Sequence, residues 1–426
     1  MWRWVSGLAW ALENRARVAE AQGDRRLAAG SLRELAQIYD LRLGRSAEAL
    51  AVLERSVDLF HDEATQNDLA TLALRVDRPS LARRALESIL ARSTGTESAE
   101  KTAELRARLG RACELLGDTA AAIDHYAAAF PLRRLDDDLA VRLEALYRHA
   151  QQHRELGALW AVRAQVLVHA GRPEDAAALH VKAAGMLRQS GDGPGAMTQL
   201  SAALEVSPRG AMAADALTAL ATLAVDRCEP KVAAENLARR AQLETEKIQS
   251  AKWYFKAAEL VRGSEDELSY VNLALSCDAD LTTARLRRAA LLETSKPELA
   301  LEDFESLLKL QASIMDADGH VVAKNDLAKR AARAAASSNQ IEAEKHWLAV
   351  AIDLAPDDMD VQLHLADLYR QTKDQSRLVG VLEKLWPRLT GDARVTARRE
   401  CALLSLQLGR HSEAIDALRS ILSDGY

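Results

Sequence analysis

Four groupings of side chains carry residue types that chemistry uses. Asp316-Ala317-Asp318-Gly319-His320 has the alternating carboxylates that open a calcium loop, where hard oxygen ligands must fall at fixed spacing. The bidentate glutamate of such a loop would stand twelfth from Asp316, and that residue is Leu327, so a polar loop is expected instead. His149 and His153 are four apart, the spacing of two metal ligands on one helix face. No HExxH glutamate lies between them and Glu155 falls off their face, so ordinary surface or groove histidines are expected. Gly191-Asp192-Gly193-Pro194-Gly195 is glycine-rich, as a phosphate cradle is, but it lacks the P-loop lysine and reads as a turn after a helix. Cys113, Cys228, Cys277 and Cys401 are far apart and form no CxxC pair. They are expected as small core residues of a reducing compartment rather than a disulfide or zinc framework. With no GxSxG elbow either, neither an enzyme nor a cofactor is expected.

Composition then limits the elements that could position anything. The chain has 426 residues, 48% of them hydrophobic, which exceeds what one compact core usually holds and calls for several domains or an elongated array. Only 4% are aromatic, while Ala and Leu dominate, a profile of closely packed helices. Net charge is −6 with both signs interspersed, against the basic footprint of a nucleic-acid binder. The opening Met1-Trp2-Arg3-Trp4 has no signal-peptide pattern, and Ala211 to Val225, interrupted by Asp215, is the nearest approach to a membrane span. A cytoplasmic protein without membrane insertion is expected.

The periodicity is helical throughout. The clearest stretch is Ala103 to Asp136, two amphipathic helices joined by a Gly117-Asp118 turn. Counting Ala103 as position 1, Leu109, Gly110 and Cys113 fall at 7, 8 and 11, then Gly117 at 15, Ala122 at 20, Tyr126 at 24 and Ala129 at 27. Small residues stand where two helices must touch and large ones where they fill the groove between them. This pattern resembles the tetratricopeptide repeat, a helix-turn-helix unit of 34 residues. The same frame can be followed from Gly30, with further units near Glu63, Asp137, Ala177, Ala214, Ser250, Thr282, Asn325, Met359 and Val395. A second frame from Gly157, with Trp160, Ala164 and Ala176 at 4, 8 and 20, is set aside because only the first keeps every later helix paired.

All nine prolines fall at predicted helix edges. Pro79, Pro173, Pro194, Pro230 and Pro297 are in first turns, where a missing N–H costs nothing. No sustained alternation with β-branched residues occurs, so no sheet is expected. The resulting expectation is an all-α, right-handed α-solenoid (superhelix) of about eleven helix pairs. Residues 1–29 form a leading helix, from about Ser6 to Gln22, and 30–310 form repeats. A longer connecting loop covers 311–324 and further repeats cover 325–426. Trp2, Trp4 and Trp10 are expected to pack on the next helix, the alternatives being lost earlier repeats or a docked partner. The polar run Ser93 to Ser98 lengthens one connection. The absence of a polar helix after the last pair, which ends near Tyr426, suggests a longer array or a bound end.

The resemblance implies that partners bind a concave groove lined by first helices at positions 2, 5, 6, 9, 12 and 13. No unit places Asn at 9, so the clamp that some members use for a C-terminal carboxylate is not expected. Tyr254 and Phe255, at 5 and 6, could stack on a peptide side chain. Arg287 at 6, then Lys329, Arg330 and Arg333 at 5, 6 and 9, could form a basic wall suited to acidic side chains or a carboxylate. The expected function is a non-catalytic scaffold that binds a protein or peptide segment. The alternative is the recruiting or regulatory arm of a larger enzyme or signalling protein.

Overall fold

The computed structural model describes residues 2–92 and 98–423. Most of the Ser93–Ser98 run, the side chain of Trp2 and Tyr426 therefore lie outside the described residues. The chain divides into two compact units, Met1–Ala216 and Leu217–Tyr426.

The first unit opens with α1 (Trp2–Ala21) and continues as helix pairs. These are α2 (Arg25–Leu41) with α3 (Ser46–Leu59), α4 (Glu63–Arg75) with α5 (Pro79–Arg92), α6 (Ala99–Leu115) with α7 (Thr119–Ala129), α8 (Asp137–His149) with α9 (His153–His169), and α10 (Pro173–Gln189) with α11 (Gly193–Val206). Helix α12 (Ala213–Asp226) runs across the boundary and α13 (Pro230–Leu243) follows it. The second unit continues with α14 (Lys247–Leu260) and α15 (Asp266–Cys277), α16 (Thr282–Leu292) and α17 (Pro297–Leu308), α18 (Lys324–Ser337) and α19 (Ile341–Leu354), α20 (Met359–Gln371) and α21 (Gln375–Leu385), and α22 (Gly391–Gln407) and α23 (His411–Ser423). The described residues thus form a leading helix and eleven pairs, in the frame that starts at Gly30.

Each helix packs chiefly on its neighbours in the chain. The turns explain why. Gly23, Gly117 and Gly191 take left-handed φ of 80, 75 and 82°, and the aspartate after each caps the next helix through its carboxylate. The five prolines expected in first turns all stand at the first or second helical residue. The repeat period recurs in the ion pairs of the first unit. Arg33–Asp68, Arg55–Glu20, Arg75–Asp40 and Arg83–Asp118 all join residues 35 apart. They are part-exposed, so each contributes little to stability, but each joins one helix pair to the next or, for Arg55–Glu20, to the leading helix.

Four expectations need correction. A two-stranded ribbon exists within residues 311–324: Ile314–Met315 pairs antiparallel with Val321–Val322, because Ile314 sinks into the core of the second unit and Asp316 closes the turn. Trp4 and Trp10 do not pack on α2, being 86% and 70% exposed, since Ala9, Leu12 and Ala16 face that helix instead. His149 ends α8 and His153 begins α9, so they do not share a helix; Gln151, with φ 54°, turns the chain between them. The cysteines are not all core. Cys113 and Cys401 are buried and Cys277 is half-buried, but Cys228 is exposed in the α12–α13 turn at φ 59°.

Burial pushes the Cys401 thiol up to about 11 and also raises that of Cys113. Thiolate is the reactive form. Iodoacetamide at pH 8 is therefore expected to label Cys228 first, with Cys113 and Cys401 protected until the chain unfolds. Peptide mapping of the alkylated protein checks this, and prompt labelling of Cys401 would refute the packing around α22.

Candidate functional site

In the first unit, the first helices of three successive pairs, α4, α6 and α8, border a groove of about 290 Å3. Three guanidiniums line it: Arg108 and Arg111 from α6 and Arg142 from α8. In the repeat frame they occupy positions 6, 9 and 6, all among the positions that the resemblance implies for the groove.

Two of the three are tied to one carboxylate. Glu114 accepts hydrogen bonds from Arg111 at 3.0 Å, Arg142 at 3.1 Å and the Tyr126 hydroxyl at 2.9 Å. Burial alone would raise the Glu114 carboxyl, but the bonds from Tyr126 and Arg111, with the charge of Arg142, outweigh it and hold it below the usual range. Arg142 also reaches Asp138 at 2.8 Å.

Arg108 differs. Its guanidinium donates to the Asn67 side-chain oxygen at 3.1 Å, to the Asn67 carbonyl at 3.3 Å and to the Thr71 hydroxyl at 2.7 Å, all neutral acceptors on α4. It has no ion pair among the described residues, and Glu104 acts on it only at longer range. Burial lowers its pKa from the usual guanidinium value, the signature of a cation lacking a close anion.

The residues singled out from sequence are placed differently. Tyr254 is 7% exposed and packs with Ala241, Val271 and Ala274, with Phe255 against the same cluster, so Tyr254 is a core residue rather than a stacking surface. Arg287 and Arg330 are brought together, at a pocket of about 250 Å3 that also holds Arg262 and the hairpin residues Asp316 and Asp318. Both are already paired. Arg287 reaches the buried Glu267, and Arg330 holds Glu293 through two bonds of 3.0 Å while stacking 4.9 Å from the Phe304 ring. Lys329 pairs with Asp358, the N-cap of α20. Only Arg333 of the four is exposed without an ion pair among the described residues. The wall is therefore largely neutralised by the packing of successive pairs.

The other sequence groupings resolve locally. Asp316 accepts from the backbone N–H of Asp318 at 3.0 Å and of His320 at 2.8 Å, closing the hairpin turn. The Asp316, Asp318 and His320 ligand atoms lie within 4.8 Å of one another. In the glycine-rich turn the Asp192 carboxylate accepts from Gly195 N at 2.9 Å, so it fills the helix N-terminus where a phosphate would sit. Among the described residues, no helix is long and apolar enough to cross a membrane.

No family model and no curated protein matches this chain. Among solved structures, it is similar to a tetratricopeptide repeat protein from Parabacteroides merdae, at 17% identity and TM-score 0.28 over 59% of this chain and 93% of that one. It is also similar to the Naa15/Naa10 complex bound to HypK-THB, at 12% identity and TM-score 0.34 over 97% and 68%, and to YrrB, at 19% and 0.29 over 47% and 96%. The fold assignment rests on the chain's own helix pairs. Positions 8 and 20 of the clearest unit, Gly110 and Ala122, are buried where its two helices meet, and that unit is one of eleven helix pairs among the described residues. The chain has a tetratricopeptide-like helical repeat fold.

Proposed function

We propose that this chain is a non-catalytic protein-interaction scaffold that holds an acidic segment of a partner protein along α4, α6 and α8. The observation that supports this reading is Arg108, a part-buried cation bonded only to neutral acceptors. A carboxylate from outside would supply the missing counter-charge through a two-pronged, charge-assisted bond. Arg111 and Arg142 flank it, oriented by Glu114, and would steer an acidic chain toward it.

The test is a titration of the full chain with a labelled glutamate-rich decapeptide, and with its lysine-rich counterpart, at low and moderate salt. Arg108→Met is expected to weaken glutamate-peptide binding by about ten- to hundredfold, the value of one charge-assisted bond, with little change in melting. Binding should also fall with salt. Equal affinity of native and variant chains, or no binding to the native chain, would overturn the proposal.

A further inference from the structure

A second type of recess uses other repeat positions. In the first unit it opens between α3, α4 and α5, with a volume of about 270 Å3. In the second it opens between α19, α20 and α21, at about 250 Å3. Their floors correspond residue for residue in the repeat frame: Val57 and Ile352 at position 28 of one unit, then Leu69 and Leu365 at 7 and Ala85 and Val381 at 23 of the next.

The polar groups correspond as well. Position 4 is glutamine in both, Gln66 and Gln362, and each is 2% exposed. Position 29 is aspartate in both, Asp58 and Asp353, on one exposed rim. The facing rim is basic in both, but from different repeat positions, with Arg84 at 22 in one slot and Lys384 at 26 in the other. None of these four rim charges has an ion pair among the described residues. Gln66 Nε2 donates to Ser88 Oγ at 2.8 Å, and Gln362 Nε2 donates to the Pro356 carbonyl at 2.7 Å. Gln362 Oε1 is left buried with no donor. A buried acceptor without a donor is costly, so a buried carboxamide kept this way asks for one.

We propose that the slot between α19, α20 and α21 docks a partner protein by taking one tryptophan side chain, flanked in the partner by a basic residue that meets Asp353. The slots are smaller than the roughly 300–1,000 Å3 of small-molecule pockets and suit a single anchoring residue. An indole supplies a large apolar body for the floor and a ring N–H that only donates, which is what Gln362 Oε1 lacks. The oppositely charged rims set the direction of the partner chain across the slot. This site shares no lining residue with the Arg108 groove, so either can fail without the other.

The experiment titrates the full chain with N-acetyl-tryptophan amide and with its ring-N-methylated analogue, followed by NMR of the Ile352 methyl groups. The native chain is expected to bind the first about five- to tenfold more tightly than the second, the loss expected for one hydrogen bond to a buried acceptor. Gln362→Leu should erase that difference. Gly380→Phe provides a second variant, because a Cβ added at Gly380 on the slot's edge meets nothing within 4 Å. It should fill the slot and abolish binding of both compounds there. Equal binding of both compounds to the native chain, no shift of Ile352 with either, or undiminished binding to Gly380→Phe would each overturn the proposal.

Discussion

Arg288→Ala is expected to cost about 3–5 kcal/mol of folding stability, because it strands a buried carboxylate without its cation. Asp303 of α17 is 2% exposed and takes two bonds from Arg288, at 2.7 and 2.8 Å. The bond to Asp303 raises the guanidinium pKa of Arg288 against the opposing effect of burial. For a unit of this size the loss should appear as a melting point lower by about 6–20 °C in a circular-dichroism scan. The asymmetry of buried pairs supplies the control: Arg288→Met combined with Asp303→Leu removes both charges and should stay within about 1 kcal/mol of the native chain. If Arg288→Ala melts with the native protein, α16 does not pack on α17 through this pair. The preceding residue works in the opposite direction. Arg287 pairs with Glu267 of α15, itself 1% exposed and otherwise held by the Gly263 N–H at 2.7 Å. Consecutive arginines thus fasten α16 to the helix before it and the helix after it. Charge reversal at Arg287 would disturb this packing as well as any bound partner.

These pairs show why the fold was legible in the sequence and the site was not. Repeat frame, helix count and proline positions depend on residue size and backbone restriction, and those act locally. Gly117-Asp118 announces its turn because glycine takes a left-handed φ freely and aspartate caps the next helix. The same left-handed corner at Asp77, Gln151, Cys228, Asn339 and Lys373 has φ of 54–59° without a glycine to mark it. There only the spacing of the helices gave the turn away. The Ile314–Val322 ribbon is too short to show a period. A binding site is a different kind of quantity, since it depends on which charges remain unpaired after neighbouring repeats have met. Position 6 carries arginine at 108, 142, 287 and 330 alike. Glu267 of α15 and Glu293, the C-cap of α16, neutralise the last two, whereas Arg108 meets only Asn67 and Thr71. The positional rule that picked Arg287 and Arg330 covers Arg108 and Arg142 as well, and nothing in sequence ranks them. Tyr254 failed for a related reason: position 5 faces the groove only where no neighbouring helix covers it, and here Val271 and Ala274 of α15 pack over it.

Gly110→Ala and Gly185→Ala are expected to move stability in opposite directions, although both replace a glycine inside a helix. Alanine is favoured over glycine in a helix by about 1 kcal/mol, so without tertiary contact both variants should gain. At Gly185 on α10 an added Cβ meets nothing within 4 Å, and a gain of about 0.5–1 kcal/mol should be realised. At Gly110 the same atom would lie 2.7 Å from Tyr126 Cδ1 and 2.9 Å from Cε1. Tyr126 is buried, with its hydroxyl committed to Glu114 at 2.9 Å, so the ring cannot yield without breaking that bond. Overpacking costs about 1–3 kcal/mol and the hydrogen bond about 1 more. The net expectation is a loss of about 2 kcal/mol, and urea unfolding of both variants measures it. The Tyr126 bond also helps to orient Glu114, which holds Arg111 and Arg142, so Gly110→Ala should weaken glutamate-peptide binding beyond its effect on stability. A stable Gly110→Ala would mean that α6 and α7 do not approach as closely as the small residue at position 8 requires. The link between that contact and the arginine groove would fail with it.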